Sequence, residues 1–328
     1  MPILIVISLL IVGLVLVVRG ADWLVDGASA LAKKLHVPQI VIGLTVVAFG
    51  TSLPELVVSV SSALAGSPDM SIGNVMGSNI ANILIILGIA GFLGKIMVPK
   101  NTLRREIPFL IGITLLLLIM TNDVILGLGG ANMLTKVNSG ILLLLFGGFL
   151  AYVFRLAKKS TKNDDKCERM CAVPKEQPKP MWLVILLIVM GLVALIAGGA
   201  LAVHNAVILA EMWGMSEAMI GLTILAVGTS MPEIMTSIIA TKRGETELAI
   251  GNIVGSNIFN ILLILGAVGV IKPMSFNTQL NTDIMLSAGI TIMLYIAAKN
   301  KKRQVSLVWS VVFLLAYVGY VVFLVKRG

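Results

Sequence analysis

The sequence predicts an all-α integral membrane protein, with ten transmembrane helices in two inverted five-helix repeats and broken helices at a central site. Three observations predict this. Of 328 residues, 58% are hydrophobic and only 12% charged, and mean hydropathy is +1.01, a composition foreign to soluble domains. Apolar stretches long enough to cross a bilayer recur along the whole chain. Residues 43–88 also reappear, shifted by 178 positions, as residues 221–266.

The expected spans, in order, are 3–19, 38–65, 71–93, 106–121, 138–155, 181–203, 215–241, 247–270, 282–298 and 304–325. Spans 38–65 and 215–241 are long enough to contain a break. A β-barrel would show short alternating segments instead, so the spans are helices. The first has no Lys or Arg before it and no small-residue cleavage site, and it reads as a retained helix. The charged, proline-containing segment 156–180, "LAKKSTKNDDKCERMCAVPKEQPKP", reads as a flexible linker too short to fold alone. It separates the first repeat, 1–155, from the second, 181–328.

Cation placement gives the topology. The net charge is +9, but 21 of the 25 Lys and Arg fall in loops on one side of the expected spans. The other side holds only Lys136, Lys272, Lys326 and Arg327. The positive-inside rule makes the richer side the cytoplasm, so both termini face outward. The expected location is the cell membrane, with linker 156–180 cytoplasmic. The basic balance is thus a topology signal and not a nucleic-acid patch. The two cysteines, Cys167 and Cys171, lie in the linker and read as reduced thiols without a metal partner.

The repeat carries the chemistry. "GLTVVAFGTSLPELVVSVSSALAG" aligns with "GLTILAVGTSMPEIMTSIIATKRG", and "IGNVMGSNIANILIILG" with "IGNIVGSNIFNILLILG". From Gly43 to Gly88 against Gly221 to Gly266, 24 of 46 positions are identical without a gap. Chance likeness between apolar helices would match Leu with Ile. Here Thr, Ser, Pro, Glu, Gly and Asn match. The shift spans five helices, an odd number, so the second copy enters the membrane from the opposite face. Inverted repeats with interrupted helices point to a transporter with a midplane site.

Pro54 and Pro232 each remove a backbone donor inside a span, freeing carbonyls near Ala48–Gly50 and Ala226–Gly228. Thr51 and Ser52 add hydroxyls and Glu55 a carboxylate; Ser52, Glu55 and Ser59 share a helix face, and Ser230, Glu233 and Ser237 repeat it. The following span offers Asn74, Ser78 and Asn82 on one stripe, repeated as Asn252, Ser256 and Asn260. Gly73 and Gly77, with Gly251 and Gly255, allow close backbone approach. Asn74, Asn79, Asn252 and Asn257 read equally well as packing or as site residues. All these donors are hard oxygens, which suit Na⁺ and Ca²⁺. Two glutamates in low dielectric repel each other, and no Lys or Arg lies inside the motif helices to offset them. A single buried glutamate can be hydrogen-bonded glue. Two in the same frame of inverted copies are hard to explain that way. Asp22 and Asp26, whose repeat counterparts are Ala200 and His204, read as interfacial; His36 and His204 read as structural.

The paired "GTSLPE…GSNIAN" and "GTSMPE…GSNIFN" closely resemble the α-repeats of the sodium/calcium exchanger family, in the calcium/cation antiporter superfamily. The resemblance implies a ten-helix antiporter expelling Ca²⁺ in exchange for Na⁺. It implies metal-ion ligands at Ala48, Thr51, Ser52, Glu55, Ser78 and Asn82, and at Ala226, Thr229, Ser230, Glu233, Ser256 and Asn260. It further implies that the first and sixth helices slide as gates. Some family members carry Asp where this chain has Asn260, so ion stoichiometry and potassium dependence stay open. The large regulatory Ca²⁺-binding loop of animal exchangers is absent from the sequence.

The competing readings are a Ca²⁺/H⁺ antiporter using the same carboxylates and, from another class, a cation channel. A channel filter is usually a ring of subunits, whereas this chain encloses its own two-fold site. An enzyme is not expected, since no HExxH, Ser-His pairing or nucleotide loop is present. No cofactor is expected beyond the transported Ca²⁺ and Na⁺. The expected partners are those ions and the lipid bilayer, with no obligate protein partner.

Overall fold

The computed structural model describes residues 3–122, 131–167, 179–214 and 226–327, with the side chains of 159–167 and Ala226 outside that description. The first repeat runs α1 (Ile3–Leu35), α2 (Gln39–Thr51), α3 (Leu53–Leu64), α4 (Pro68–Leu93), α5 (Ile107–Met120) and α6 (Lys136–Cys167). The second runs α7 (Met181–Met212), α8 (Ala226–Gly228), α9 (Met231–Lys242), α10 (Thr246–Ile271), α11 (Asn281–Ala298) and α12 (Leu307–Arg327). Four two-residue strands complete the described fold: β1 (Ile96–Met97), β2 (Met133–Leu134), β3 (Met274–Ser275) and β4 (Gln304–Val305).

Seven described helices are long and apolar enough to cross a membrane, and the bent pair α2–α3 makes an eighth. Two expected spans remain. The one at 106–121 is the 14-residue α5, entered through a π turn at Thr102–Glu106. The one at 215–241 is described only from residue 226. The expected flexible linker 156–180 begins as helix, with α6 running on to Cys167; its residues 168–178, including Cys171, lie outside the described residues, as does the Cys167 side chain.

The first and sixth spans are longer than apolar content alone predicts. Instead of ending near 19 and 203, α1 continues to Leu35 and α7 to Met212. At 1.5 Å per residue, a 33-residue helix is about 50 Å long, well beyond the hydrocarbon layer. The polar extension of α1 is tied down: Asp22 pairs with Arg243 at 2.6 Å, and Asp26 pairs with Lys179 at 2.5 Å and Arg243 at 3.7 Å.

Glycine brings α1 and α7 into backbone contact. Gly13 and Gly20 on α1, like Gly191 and Gly198 on α7, are seven residues apart, so each pair lies on one face. A Cβ on Gly191 would stand 2.6 Å from the Leu24 amide nitrogen, and one on Gly20 would stand 2.7 Å from that of Leu195. Small residues give apolar helices their close packing where lipid supplies no hydrophobic drive.

The two repeats interlock. β1 pairs with β4 (Ile96 opposite Val305), and β2 pairs with β3 (Leu134 opposite Met274), so each sheet joins the halves. The helices exchange partners in the same way: α4 packs on α12, and the end of α10 packs on α6. At those contacts a Cβ on Gly91 would meet Ser310 Oγ at 1.8 Å, and one on Gly269 would meet Ser139 Oγ at 2.0 Å. Helices α4 and α10 are the most buried spans, whereas α12 presents most of its surface outward.

Replacing Gly191 with Leu should lower thermal stability in detergent by about 1–3 kcal/mol, the usual cost of overpacking. Gly289→Ala, where an added Cβ meets nothing within 4 Å, should shift it little. Equal melting temperatures for the two variants would refute the close-packed α1–α7 seam.

Candidate functional site

The helix break turns on the same hinge residue in both copies. Chain direction changes by 44° between α2 and α3. The hinge is Ser52, with φ −82° and ψ 5°; its counterpart Ser230 has φ −86° and ψ 6°. Neither pair of angles is helical, and in each copy the proline two residues later starts the next helix, where its missing N–H costs least. The break places Glu55 and Glu233 in the first turns of α3 and α9. There the partly positive helix N-terminus favours a carboxylate. Before the break, α2 contains a π turn at Gly43–Val47. Such turns recur at functional sites.

Close packing of α2 on α10 sets the site's width. A Cβ on Gly251 would lie 2.9 Å from Gly43 Cα, and one on Gly255 would lie 2.8 Å from Ala48 Cβ. Thr51 is thereby brought to Asn252 Oδ1 at 3.1 Å and to Ser256 Oγ at 3.5 Å. The repeat counterpart of α2 in this contact, around 218–226, includes residues outside the description. The Ala48 carbonyl accepts the Ser52 amide at 3.1 Å and a longer bond from Thr51 Oγ1 at 3.4 Å. Ala226 opens α8.

The two acids are completely buried and cross-linked between the repeats. Ser52 Oγ donates to Glu233 Oε1 at 3.0 Å, and Ser230 Oγ donates to Glu55 Oε1 at 3.3 Å. Each hinge serine thus serves the other copy's glutamate. The motif helices are held to their neighbours by a second matched pair. Asn74 Nδ2 donates to Ser59 Oγ at 3.1 Å, and Asn252 Nδ2 donates to Ser237 Oγ at 2.9 Å.

A knot of four carboxamides closes the centre. Asn79 and Asn257 donate to each other's main-chain carbonyls at 3.3 and 3.2 Å. Asn82 Nδ2 then donates to Asn257 Oδ1 at 3.2 Å, and Asn260 Nδ2 donates to Asn79 Oδ1 at 3.0 Å. With their amide groups occupied, Asn82 and Asn260 are left with free oxygens. Of the four asparagines the sequence leaves evenly balanced, Asn79 and Asn257 are held in this knot, and Asn74 and Asn252 in the bonds to Ser59 and Ser237. Asn205 on α7, buried with an unpartnered Oδ1, is a polar group that sequence reasoning missed. Its repeat counterpart is Gly27, so the repeat gave no signal for it.

What remains unsatisfied is as informative as what is bonded. Glu55 Oε2, Glu233 Oε2, Asn82 Oδ1, Asn260 Oδ1, Ser78 Oγ and Thr229 Oγ1 are buried and have no hydrogen-bond partner among the described residues. A buried polar atom left unmatched costs about 1–3 kcal/mol. Six on one set of motif residues, drawn from four helices, form a donor set for a hard cation. Among the described residues no cluster of three or more His, Cys, Asp or Glu exists. A bound cation would therefore meet two charges and several neutral oxygens.

The copies are not conformationally equal. Asn260–Leu265 winds as a π turn, while the matching Asn82–Leu87 is regular α-helix. Thr51 is fully bonded, whereas its counterpart Thr229 is not. Glu55, Glu233, Asn82 and Asn260 are all sealed from water.

Known proteins resemble this chain from end to end. The family model described as "Sodium/calcium exchanger protein" matches residues 5–155 and 183–326. The chain is 38% identical over 315 residues to the putative antiporter CaxA of Alkalimonas amylolytica, covering 94% of this chain and 95% of that protein. It is 29% identical over 344 residues to the sodium/calcium exchanger MaX1 of Methanosarcina acetivorans, covering 96% and 97%. A solved structure of the sodium-calcium exchanger NCX_Mj superimposes with a TM-score of 0.80 at 27% identity, over 96% of each chain. The family-model match over nearly the whole chain and the end-to-end similarity to these relatives place this chain in the sodium/calcium exchanger family, a family of multi-pass membrane transporters and not of enzymes.

Proposed function

We propose that the protein exchanges Ca²⁺ for Na⁺ across the cell membrane by alternating access. The ions would be held at the midplane by Glu55 and Glu233, the hydroxyls of Thr51, Ser52, Ser78, Thr229, Ser230 and Ser256, the carboxamide oxygens of Asn82 and Asn260, and the carbonyls of Ala48 and Ala226. The crossed pair of buried glutamates, each with one unpartnered oxygen, carries this reading. No resident cofactor enters the scheme; Ca²⁺ and Na⁺ are cargo.

The coupling is electrostatic. Two carboxylates with no neighbouring Lys or Arg make the unloaded site a buried double negative charge, which is costly to carry through a closed state. One Ca²⁺ offsets both charges, and Na⁺ ions do the same. A loaded site can therefore close over its cargo, and an unloaded one resists closing. That difference enforces exchange over leak. The complete burial of the acids fits a closed, loaded-type conformation better than an open pore. Protons would also offset the carboxylates, so the coupling ion is decided by flux.

In vesicles containing the purified chain, an outward Na⁺ gradient at clamped pH should drive ⁴⁵Ca²⁺ uptake. If a proton gradient drives equal uptake without Na⁺, the Na⁺ coupling is wrong. Glu55→Gln and Glu233→Gln should each reduce uptake at least about a hundredfold, the scale of removing one partner from a buried charge cluster. The proposed topology has its own check. Cys167 and Cys171 should resist a membrane-impermeant maleimide in intact cells and react after permeabilisation. Labelling from outside would reverse the orientation.

A further inference from the structure

Helices α5 and α11 begin alike. Leu103, Glu106, Ile107, Gly112, Ile113 and Thr114 recur as Leu280, Asp283, Ile284, Gly289, Ile290 and Thr291 at the same spacing. Glu106 and Asp283 are therefore repeat counterparts on opposite membrane faces. Both are buried. Each accepts a hydrogen bond from a tyrosine on its repeat's last helix: Tyr152 of α6 donates to Glu106, and Tyr320 of α12 donates to Asp283 at 3.4 Å.

The likeness ends at the cation. Arg327 lies 2.8 Å from Asp283 Oδ2 and balances its charge. Among the described residues no Lys, Arg or His nitrogen lies within ion-pair distance of Glu106, and Glu106 Oε2 has no partner at all. Where the counterpart has an arginine, Glu106 has a cavity. A lateral pocket of about 380 Å³ adjoins it, with Glu106, Tyr152 and Arg105 at its polar part and Phe109, Phe149 and Gly148 along its apolar wall. Phe109 and Phe149 stack with centroids 5.9 Å apart. The exposed Arg105 guanidinium lies 5.9 Å from the centre of the Tyr152 ring.

We infer that this pocket binds the headgroup of an aminophospholipid, with its ammonium on Glu106, its phosphate on Arg105 and its hydrocarbon against Phe109 and Phe149. The occupant must bring a cation to Glu106, an anion to Arg105 one residue earlier, and an apolar tail to the aromatic wall. A zwitterionic amine lipid has all three in that order. An anionic lipid has no group for Glu106. A choline headgroup has a cation but no N–H to donate.

The test uses the purified full chain in detergent, mixed with equal amounts of phosphatidylethanolamine and phosphatidylglycerol bearing the same chains. Retained lipid is counted by native mass spectrometry. Phosphatidylethanolamine should be retained preferentially. Glu106→Gln should weaken that retention about tenfold, the scale of losing a charge-assisted hydrogen bond, and erase the preference. Equal retention of both lipids by the unaltered chain, or full preference in Glu106→Gln, overturns the inference. Gly148→Leu is the second arm, because a Cβ there meets nothing within 4 Å and the larger side chain would fill the pocket. It leaves Glu106 intact and should also abolish retention. Should Glu106→Gln fail to fold, undiminished retention in Gly148→Leu overturns the inference by itself. The readout is bound lipid, so the result stands apart from which ions the protein exchanges.

Discussion

Everything in this structure is arranged around two carboxylates held out of water without a basic partner. A buried, unpaired charge is among the most expensive features a protein can carry. The fold does not remove that cost by supplying Lys or Arg. It reduces it with helix N-termini, with one serine hydroxyl for each acid, and with neutral amide and hydroxyl oxygens around them. Such groups orient and partly stabilise a carboxylate but do not neutralise it. The remaining negative charge is what a mobile cation completes, and an internal arginine would have made the site permanently content.

The surrounding packing keeps that arrangement rigid. The four-carboxamide knot occupies the amide groups of Asn82 and Asn260, so their oxygens cannot turn away without breaking a bond to the opposite repeat. Strand pairing between the repeats and the exchange of α6 and α12 onto opposite halves tie both copies into one body. The α1–α7 pair differs. Its glycine seam makes the two helices a unit with each other. Much of that unit's remaining surface faces outward, while its polar end is fastened to the rest by exposed ion pairs at Asp22 and Asp26. Exposed pairs are individually weak, so this fastening is far softer than the knot.

Much of the fold and most of the site were legible in the residues, for a specific reason. Polar residues inside lipid-spanning segments are expensive, so a repeated frame of Thr, Ser, Pro, Glu and Asn stands out from an apolar background that says little. That signal marked the broken spans through Pro54 and Pro232, the paired acids and the Asn stripes, but not Ser52 and Ser230 as the hinge residues. It could not show that each hinge serine serves the other copy's glutamate, because spacing along one helix says nothing about contacts across a two-fold. The lengths of α1 and α7 were also missed. Hydropathy registers Arg19, Asp22 and Asp26 as the end of a span, although a helix continues readily past the hydrocarbon edge once its charges are paired outside. Asn205 lacked any repeated partner, and the π turn at Asn260 has no motif, since its sequence nearly matches the α-helical stretch at Asn82.

That last difference bears on how the protein works. Near-identical sequences, "NIVGSNIFNILLILG" and "NVMGSNIANILIILG", adopt different backbones from their third asparagine onward. Local propensity cannot distinguish them, so the surrounding structure must. Thr51 is tied to Asn252 and Ser256, while Thr229 is left unbonded. The two halves of the site are thus in different states within one conformer. In the proposed alternating-access scheme, exchanging those two states between inverted copies would give a conformer with comparable contacts that faces the other side of the membrane. Such a pair of arrangements, separated by the breaking of a few hydrogen bonds, would be the bistable element that a charge-dependent transporter requires. The ion would then decide only whether the buried acids can cross between them.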